Sequence, residues 1–288
     1  PNRVDTRFDL GSINKSFTRI AIGQLARDGK LTFDDHIIDH IPDYPNAEAA
    51  GKITIRHLLE HTSGLGDIFT EEFFRSSKAL YRKPRDFFPL FADKPLRSGP
   101  GEKFEYSNAG FMVLGVIIEA ASGQSYYEYI AQHIFEPAGM TDAGFFANDE
   151  PIPNVAVGYT RMGPDGGPGE LRNNLFDLPI RGNSAGSAQA TVTDLLHFDE
   201  ALREHRLLPP AYTAWYFGGE EPQPGAPTEA TGQRAKAATG IAGGAPGVSA
   251  TVESDGDVTV IVLSNYDAPI TEAVGRQLFR PLKRALGK

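Results

Sequence analysis

Residues 8–27 read FDLGSINKSFTRIAIGQLAR, and the four residues Ser12-Ile13-Asn14-Lys15 within them decide how the rest of the chain is read. Ile13, Phe17, Ile20, Ala21 and Leu25 recur with a helical period, and Gly29 suits the position just past a helix end, so the pattern predicts a helix from Ser12 to Arg27. Ser12 and Lys15 then share one face, one turn apart, with Cβ atoms roughly 5–6 Å from each other. A first-turn position also places Ser12 beside unpaired backbone N–H groups at the positive end of the helix dipole. A serine hydroxyl is a weak nucleophile until a base takes its proton, and a lysine amine serves once burial or nearby positive charge lowers its pKa. Ser-x-x-Lys arises about once by chance in a chain of this length. It occurs once here, so its weight comes from its surroundings.

The 288 residues suffice for one large domain or two interleaved ones, and 40% hydrophobic with 23% charged residues is ordinary for a soluble globular protein. A net charge of −9 argues against nucleic-acid partners and anionic membrane surfaces, both of which select basic patches. The absence of cysteine excludes disulfides, thiolate zinc sites and a cysteine nucleophile. The longest apolar run, Phe111 to Ile118, falls short of the ~18 residues of a membrane span, and Pro1 to Asp5 carry no signal-peptide pattern. The compartment stays open.

Thr54 is expected to cap a short helix from Ile55 to Glu60, which runs into His61-Thr62-Ser63-Gly64-Leu65. Residues 68–92 read as helical pieces broken by Pro84 and Pro89. Ser107 or Asn108 caps an apolar helix to about Ser122, with Gly123 beyond it, and Ser125-x-x-Glu128 opens another, expected from Tyr126 to about Phe135 and stopped by Pro137. Residues 163–169 (GPDGGPG) read as a loop or hairpin tip, Thr193 to Arg203 as a helix, and 218–232 as a mobile Pro/Gly/Glu-rich connection. The period then changes to two: Val248–Glu253 and Val258–Leu263 flank Ser254-Asp255-Gly256-Asp257, a hairpin signal. A last helix carries Ile270, Val274, Leu278, Leu282 and Leu286 on one face. Helices, then an antiparallel hairpin, then a helix indicate an α+β protein with a large helical insertion.

Tyr106-Ser107-Asn108 places a phenol and an amide where both can project into one cleft; alternatively Asn108 only caps and Tyr106 only packs. A second Tyr-x-Asn, Tyr44-Pro45-Asn46, lies in a turn and reads as structural. Gly182-Asn183-Ser184-Ala185-Gly186 matches a nucleophile elbow, but Pro179 interrupts the strand it needs, the next helix starts late, and no acid lies between it and the last histidine, His205. Its small residues read better as close backbone packing. His57 and His61 lack a third ligand and the metalloprotease order, so His61 reads as a structural or capping cation at a helix C-terminus. Asp34-Asp35 reads as a solvated face rather than an acid/base dyad.

Taken together, FDLGSINKSFT around Ser12, ITIRHLLEHTSGL at 53–65, PGEKFEYSNAGFMVLGVIIEAASG at 100–123 and IFEPAGMTDAGF at 134–145 resemble the serine β-lactamase and penicillin-recognising family, in its class C-like and esterase branch. SAGSAQATVTDLLHF at 184–198 and GGAPG at 243–247 match more weakly, and all occur in family order. The resemblance implies a β-lactamase/transpeptidase-like fold: an α/β domain of residues 1–30 and 180–288, with an antiparallel sheet flanked by helices, and a mainly helical domain of 31–179. It implies Ser12 as nucleophile, Lys15 as base, Tyr106 as proton relay and Asn108 as orienter of substrate and lysine, with no metal or organic cofactor. The oxyanion hole would be the N–H groups of Ser12 and Gly244, each donor worth ~3–4 kcal/mol of transition-state stabilisation.

Two departures stand out. The family's third motif is Lys-Thr/Ser-Gly or His-x-Gly, whereas the aligned triplet here is Ile241-Ala242-Gly243. Isoleucine cannot anchor a substrate carboxylate, so a small neutral ester or amide fits better than a peptide ending in D-alanine or a β-lactam. The family also carries a helix and two strands before the nucleophile, whereas eleven residues precede Ser12 here. The expectation is that the full protein has this segment, and that without it the hairpin edge and the inner face of the last helix are exposed. A serine hydrolase of carboxylesterase type leads; a D,D-peptidase or β-lactamase and a non-catalytic binding relative are the alternatives.

Overall fold

A computed structural model describes residues 1–287 apart from 164–166, 224 and 228–231. Strand β1 (Phe8–Asp9) passes through a single 3-10 turn (Gly11–Ile13) into α1 (Asn14–Arg27). Short helices α2 (Ile37–His40), α3 (Ala47–Ala50), α4 (Ile55–Leu59) and α5 (Glu71–Arg75) follow, then 3-10 segments Lys78–Leu80 and Pro84–Leu90. Next come α6 (Asn108–Ser122), α7 (Tyr126–Ile130), a π-helical turn (Ala131–Phe135) and α8 (Glu136–Ala138). The hairpin β2 (Tyr159–Met162) and β3 (Pro168–Asn173), strand β4 (Gln189–Ala190), α9 (Val192–Arg203) and α10 (Pro210–Tyr216) lead to β5 (Thr239–Ala245), β6 (Val248–Ser254), β7 (Thr259–Ser264) and α11 (Ile270–Ala285). Among the described residues the three sheets are antiparallel: β1 with β4, β2 with β3, and β5-β6-β7 in chain order.

Local capping chemistry sets most boundaries. The Thr54 side chain accepts from the His57 N–H at the head of α4, Ser107 does the same from Gly110 for α6, and Ser125 and Glu128 form the reciprocal box of α7. Three expected boundaries shift. Ser12 lies in the 3-10 turn rather than in α1, because Gly11 adopts φ +50° and its N–H is taken by Asp9 Oδ1 at 2.7 Å. Pro84 opens its 3-10 segment instead of breaking it, since proline's missing N–H has no partner to lose in a first turn. Pro137 is tolerated for the same reason at the head of α8, which ends at Gly139 (φ +81°). Strands β2 and β3 run into 163–169 and β3 takes its Pro168 and Gly169; residues 164–166 lie outside the described residues, as do 224 and 228–231 within 218–232.

The core explains where the site sits. Helix α1 is covered on nearly every side: Phe17, Ile20, Ala21 and Ile22 are fully buried, as are the polar Asn14 and Thr18. Helix α6 packs on one side of it, and Phe17 meets Phe135 and Phe198 edge-on at 5.2 and 5.0 Å between ring centroids. Strand β5 approaches the start of α1 so closely that a Cβ on Gly243 would stand 1.9 Å from the Leu10 carbonyl oxygen. Only glycine fits there. Helix α11 lies on β6 and β7 through Thr271 and Gly275, while its apolar stripe from Ile270 to Leu286 is open to solvent. Among the described residues no helix is long and apolar enough to cross a membrane.

Candidate active site

Four of the sequence-selected residues meet at the head of α1. Ser12 Oγ lies 3.0 Å from Lys15 Nζ and 2.8 Å from Tyr106 Oη. Lys15 Nζ also donates to Asn108 Oδ1 at 2.7 Å and to the Ala185 carbonyl at 2.6 Å. Each partner comes from a different element: Tyr106 from the extended chain before α6, Asn108 from the first turn of α6, and Ala185 from the loop before β4. The Ser107 cap turns α6 at the point that sends Tyr106 and Asn108 to the same cleft. Asn108 therefore does not cap, a role that Ser107 takes, but turns its side chain to Lys15, and Tyr106 is half-exposed at the mouth.

The electrostatics of this cluster follow from burial. Lys15 is 8% exposed, and desolvation draws its pKa down to about 7, against the opposing pull of the Asp67 carboxylate. Burial raises the Tyr106 phenol, with the Ser12 hydrogen bond acting the other way. Lys15 Nζ lies 4.9 Å from the Tyr106 ring centroid and 5.4 Å from that of Phe111, so an aromatic wall surrounds the amine.

The cleft holds about 230 Å³ and is lined by Ser12, Ile68, Phe69, Tyr106, Asn108, Leu178, Pro179, Asn183 and Ser187, with backbone from Gly11, Ala185–Gly186 and Gly244–Ala245. None of these lining residues is Asp, Glu, Lys or Arg. Gly244 stands beside Ser12: a Cβ on Gly11 would be 2.8 Å from the Gly244 nitrogen. The turn Pro246-Gly247 makes Ala245 and Val248 the closing pair of the hairpin, so antiparallel alternation turns the Gly244 N–H away from β6. Gly243 is buried against Leu10–Ser12. Ile241 is not brought to the cleft lining; its side chain packs, partly buried, against the apolar core.

The alternatives are disposed differently. Ser184 is fully buried, its Oγ beside Met112 Sδ at 3.8 Å and its carbonyl accepting from Thr18 Oγ1. A Cβ on Gly182 would meet the Ser187 carbonyl oxygen at 2.0 Å, which accounts for the small residues of this segment by close packing. Asp35 is occupied by Thr32 and His40, and Asp34 by Arg56. Asn46 caps α3, and Tyr44 is buried. His61 needs a correction. It sits at φ +58° past α4, its Nδ1 accepts from the Ser107 N–H at 3.2 Å, and its ring stacks on Tyr106 at 4.5 Å. Burial, reinforced by Lys15, lowers its pKa to about 4, so it is a neutral platform under Tyr106 rather than a cation on a helix end.

Sequence reasoning missed two contributors besides His61. The Ala185 carbonyl carries no side-chain signal. Asp67 accepts from Asn108 Nδ2 at 3.1 and 3.2 Å across 41 residues of sequence, a pairing that no local pattern encodes.

The geometry can be set beside known proteins. The family model described as Beta-lactamase matches residues 1–284. Penicillin-binding protein 4* of Bacillus subtilis (strain 168) is 33% identical over 216 residues, covering 70% of this chain and 46% of that protein. The putative penicillin-binding protein PbpX of the same organism is 33% identical over 206 residues, covering 72% and 49%. The chain thus spans about half the length of these curated relatives. Among solved structures, a penicillin-binding protein from Bacillus halodurans superposes with a TM-score of 0.81 at 32% identity, covering 98% of this chain and 88% of that one. D-amino acid amidase from Ochrobactrum anthropi SV3, complexed with L-phenylalanine, does so with a TM-score of 0.77 at 25% identity, covering 99% and 86%. With the fold, the head of α1 and the family model in agreement, the chain belongs to the Beta-lactamase family of serine hydrolases, among penicillin-binding-protein-like relatives.

Proposed function

We propose that the protein hydrolyses small neutral esters or amides through an acyl-enzyme on Ser12. The observation that carries this reading is the buried Lys15 amine, 3.0 Å from Ser12 Oγ and with its pKa lowered to about 7 by desolvation. In its neutral form that amine gives its two hydrogens to Asn108 Oδ1 and the Ala185 carbonyl, leaving its lone pair for the Ser12 hydroxyl. Ser12 Oγ attacks the substrate carbonyl carbon while its proton passes to Lys15, and the N–H groups of Ser12 and Gly244 hold the oxyanion. The proton then travels by way of Tyr106 Oη to the departing alcohol or amine as the bond to it breaks. Water enters, loses its proton to the same network, and releases the acid from Ser12.

The substrate class rests on the uncharged, partly apolar lining from Ile68, Phe69, Leu178 and Pro179. A carboxylate entering this cleft finds no Lys or Arg among its lining residues, and an uncompensated ion loses its hydration. The relatives named as penicillin-binding proteins and the amidase favour a second reading, cleavage of D-amino acid amides or β-lactams by the same machinery. The decisive experiment follows p-nitrophenyl butyrate and a chromogenic cephalosporin with the protein and its Ser12→Ala variant. The expected outcome is ester turnover that falls by at least ~10⁴-fold in Ser12→Ala, with little cephalosporin cleavage. Ester turnover that survives the substitution moves the nucleophile elsewhere, and efficient cephalosporin cleavage favours the second reading.

A further inference from the structure

Asp67 stands outside the nucleophile, base and relay, yet five N–H contacts converge on its carboxylate. Asn108 Nδ2 reaches Oδ1 at 3.2 Å and Oδ2 at 3.1 Å, and the Asn108 backbone N–H reaches Oδ2 at 3.4 Å. Oδ1 also accepts from the backbone N–H groups of Ile68 at 2.7 Å and Phe69 at 3.2 Å. An ionised carboxylate only accepts hydrogen bonds, so it selects one of the two orientations of the Asn108 amide. With Nδ2 held by Asp67, Oδ1 must face Lys15, and it does so at 2.7 Å. The opposite orientation would point an NH₂ group at the amine and leave two acceptors facing each other. The same carboxylate fixes the backbone of Ile68 and Phe69, whose side chains line the apolar wall of the cleft.

We infer that Asp67 is a positioning residue that locks the Asn108 amide toward Lys15, sets the charge balance of the amine, and ties the apolar wall of the cleft to the base. The inference rests on Lys15 acting as the base for Ser12. The groups that face the amine are few. Ser12 and Asn108 are uncharged partners, Tyr106 before α6 and His61 past α4 flank it with His61 neutral above about pH 4, and Ala185 contributes only its carbonyl. Asp67 is the carboxylate that opposes the desolvation of Lys15.

The sign of the effect follows. A neutral amine is the active base, so the rate of Ser12 acylation rises with pH through the Lys15 pKa. A nearby carboxylate favours the ammonium form, so its removal moves that rise to lower pH. The test measures the rate of covalent labelling by an alkyl fluorophosphonate between pH 5 and 9, which needs no knowledge of the natural substrate. The unaltered protein should show an inflection near pH 7. Asp67→Asn keeps the shape and removes the charge, and should lower the inflection by about one pH unit. Asp67→Ala removes the acceptors and should reduce the plateau about ten-fold, an effect that largely disappears when Asn108 is already alanine. An inflection unmoved in Asp67→Asn, or an Asp67→Ala plateau within two-fold of the unaltered protein, overturns the role of Asp67 alone. An unaltered protein whose labelling shows no inflection overturns the role of Lys15, and that of Asp67 with it. Circular dichroism and urea unfolding of Asp67→Asn, which keeps the size of the side chain but turns one acceptor oxygen into a donor, separate these outcomes from misfolding.

Discussion

Helices α1 and α11 are of similar length and stand at opposite ends of the range of burial. Of the fourteen residues of α1, eleven are buried, including Lys15; of the sixteen of α11, only Thr271 and Gly275 are. The apolar side chains of α11 at 270, 274, 278, 282 and 286 are 38–60% exposed, while the sheet-facing side makes a hydroxyl chain from Thr271 to Ser249 and Thr251 at 2.7 and 2.8 Å. The contrast shows what the proposed role of Lys15 as a base needs. An amine near neutral pKa requires a site from which water is removed and in which each remaining proton has an acceptor, and the packing around the head of α1 supplies both. The same side chain placed on the open stripe of α11 would stay hydrated and protonated.

That difference can be broken experimentally, beginning with its largest effect. Phe17→Ala, which empties the centre of the α1 packing against Phe135 and Phe198, should cost about 3–5 kcal/mol in urea unfolding. A cost near zero would mean that the core around α1 can collapse freely. Gly243→Ala forces a methyl group onto the Leu10 carbonyl and should push β5 and the Gly244 N–H away from Ser12. Ester kcat should then fall about 10²–10³-fold, the loss typical of one oxyanion donor, with far-ultraviolet circular dichroism unchanged. Activity within a few-fold of the unaltered protein would detach Gly244 from the chemistry. Leu278→Ser on the open stripe of α11 should alter stability by no more than about 0.5 kcal/mol and leave kcat untouched. A loss comparable to that of Phe17→Ala would show that the stripe is covered in solution.

Much of the fold was legible because its signals are local. Caps at Thr54, Ser107 and Ser125, the glycine after α6 and the Ser254–Asp257 turn act within a few residues, and the structure places their elements within a residue or two of the expected limits, except that α7 gives way at Ala131 to a π-helical turn that runs on to Phe135. Pro84 and Pro137 misled because proline stops a helix it would sit inside but suits one it begins, and which of the two applies depends on the turn before it. Strand β5 reads Thr-Gly-Ile-Ala-Gly-Gly-Ala, a run without side-chain periodicity. It is a strand because β6 pairs with it and because its glycines admit the start of α1.

By itself the sequence determined the candidate apparatus: a serine and a lysine one turn apart, a tyrosine and an asparagine heading one helix, a chain without cysteine, and a third motif without a cation. Those are properties of residue identity and short spacing, and they led to the family before any contact was known. Tertiary structure alone decided what those groups are able to do. The pKa of Lys15 is set by its burial, the orientation of Asn108 by Asp67, the neutrality of His61 by the rings around it, and the packing of Ile241 into the core by the face of β5 on which it falls. Each depends on what surrounds a side chain in space, and residues brought together from 41 to 170 positions apart leave no pattern along the chain.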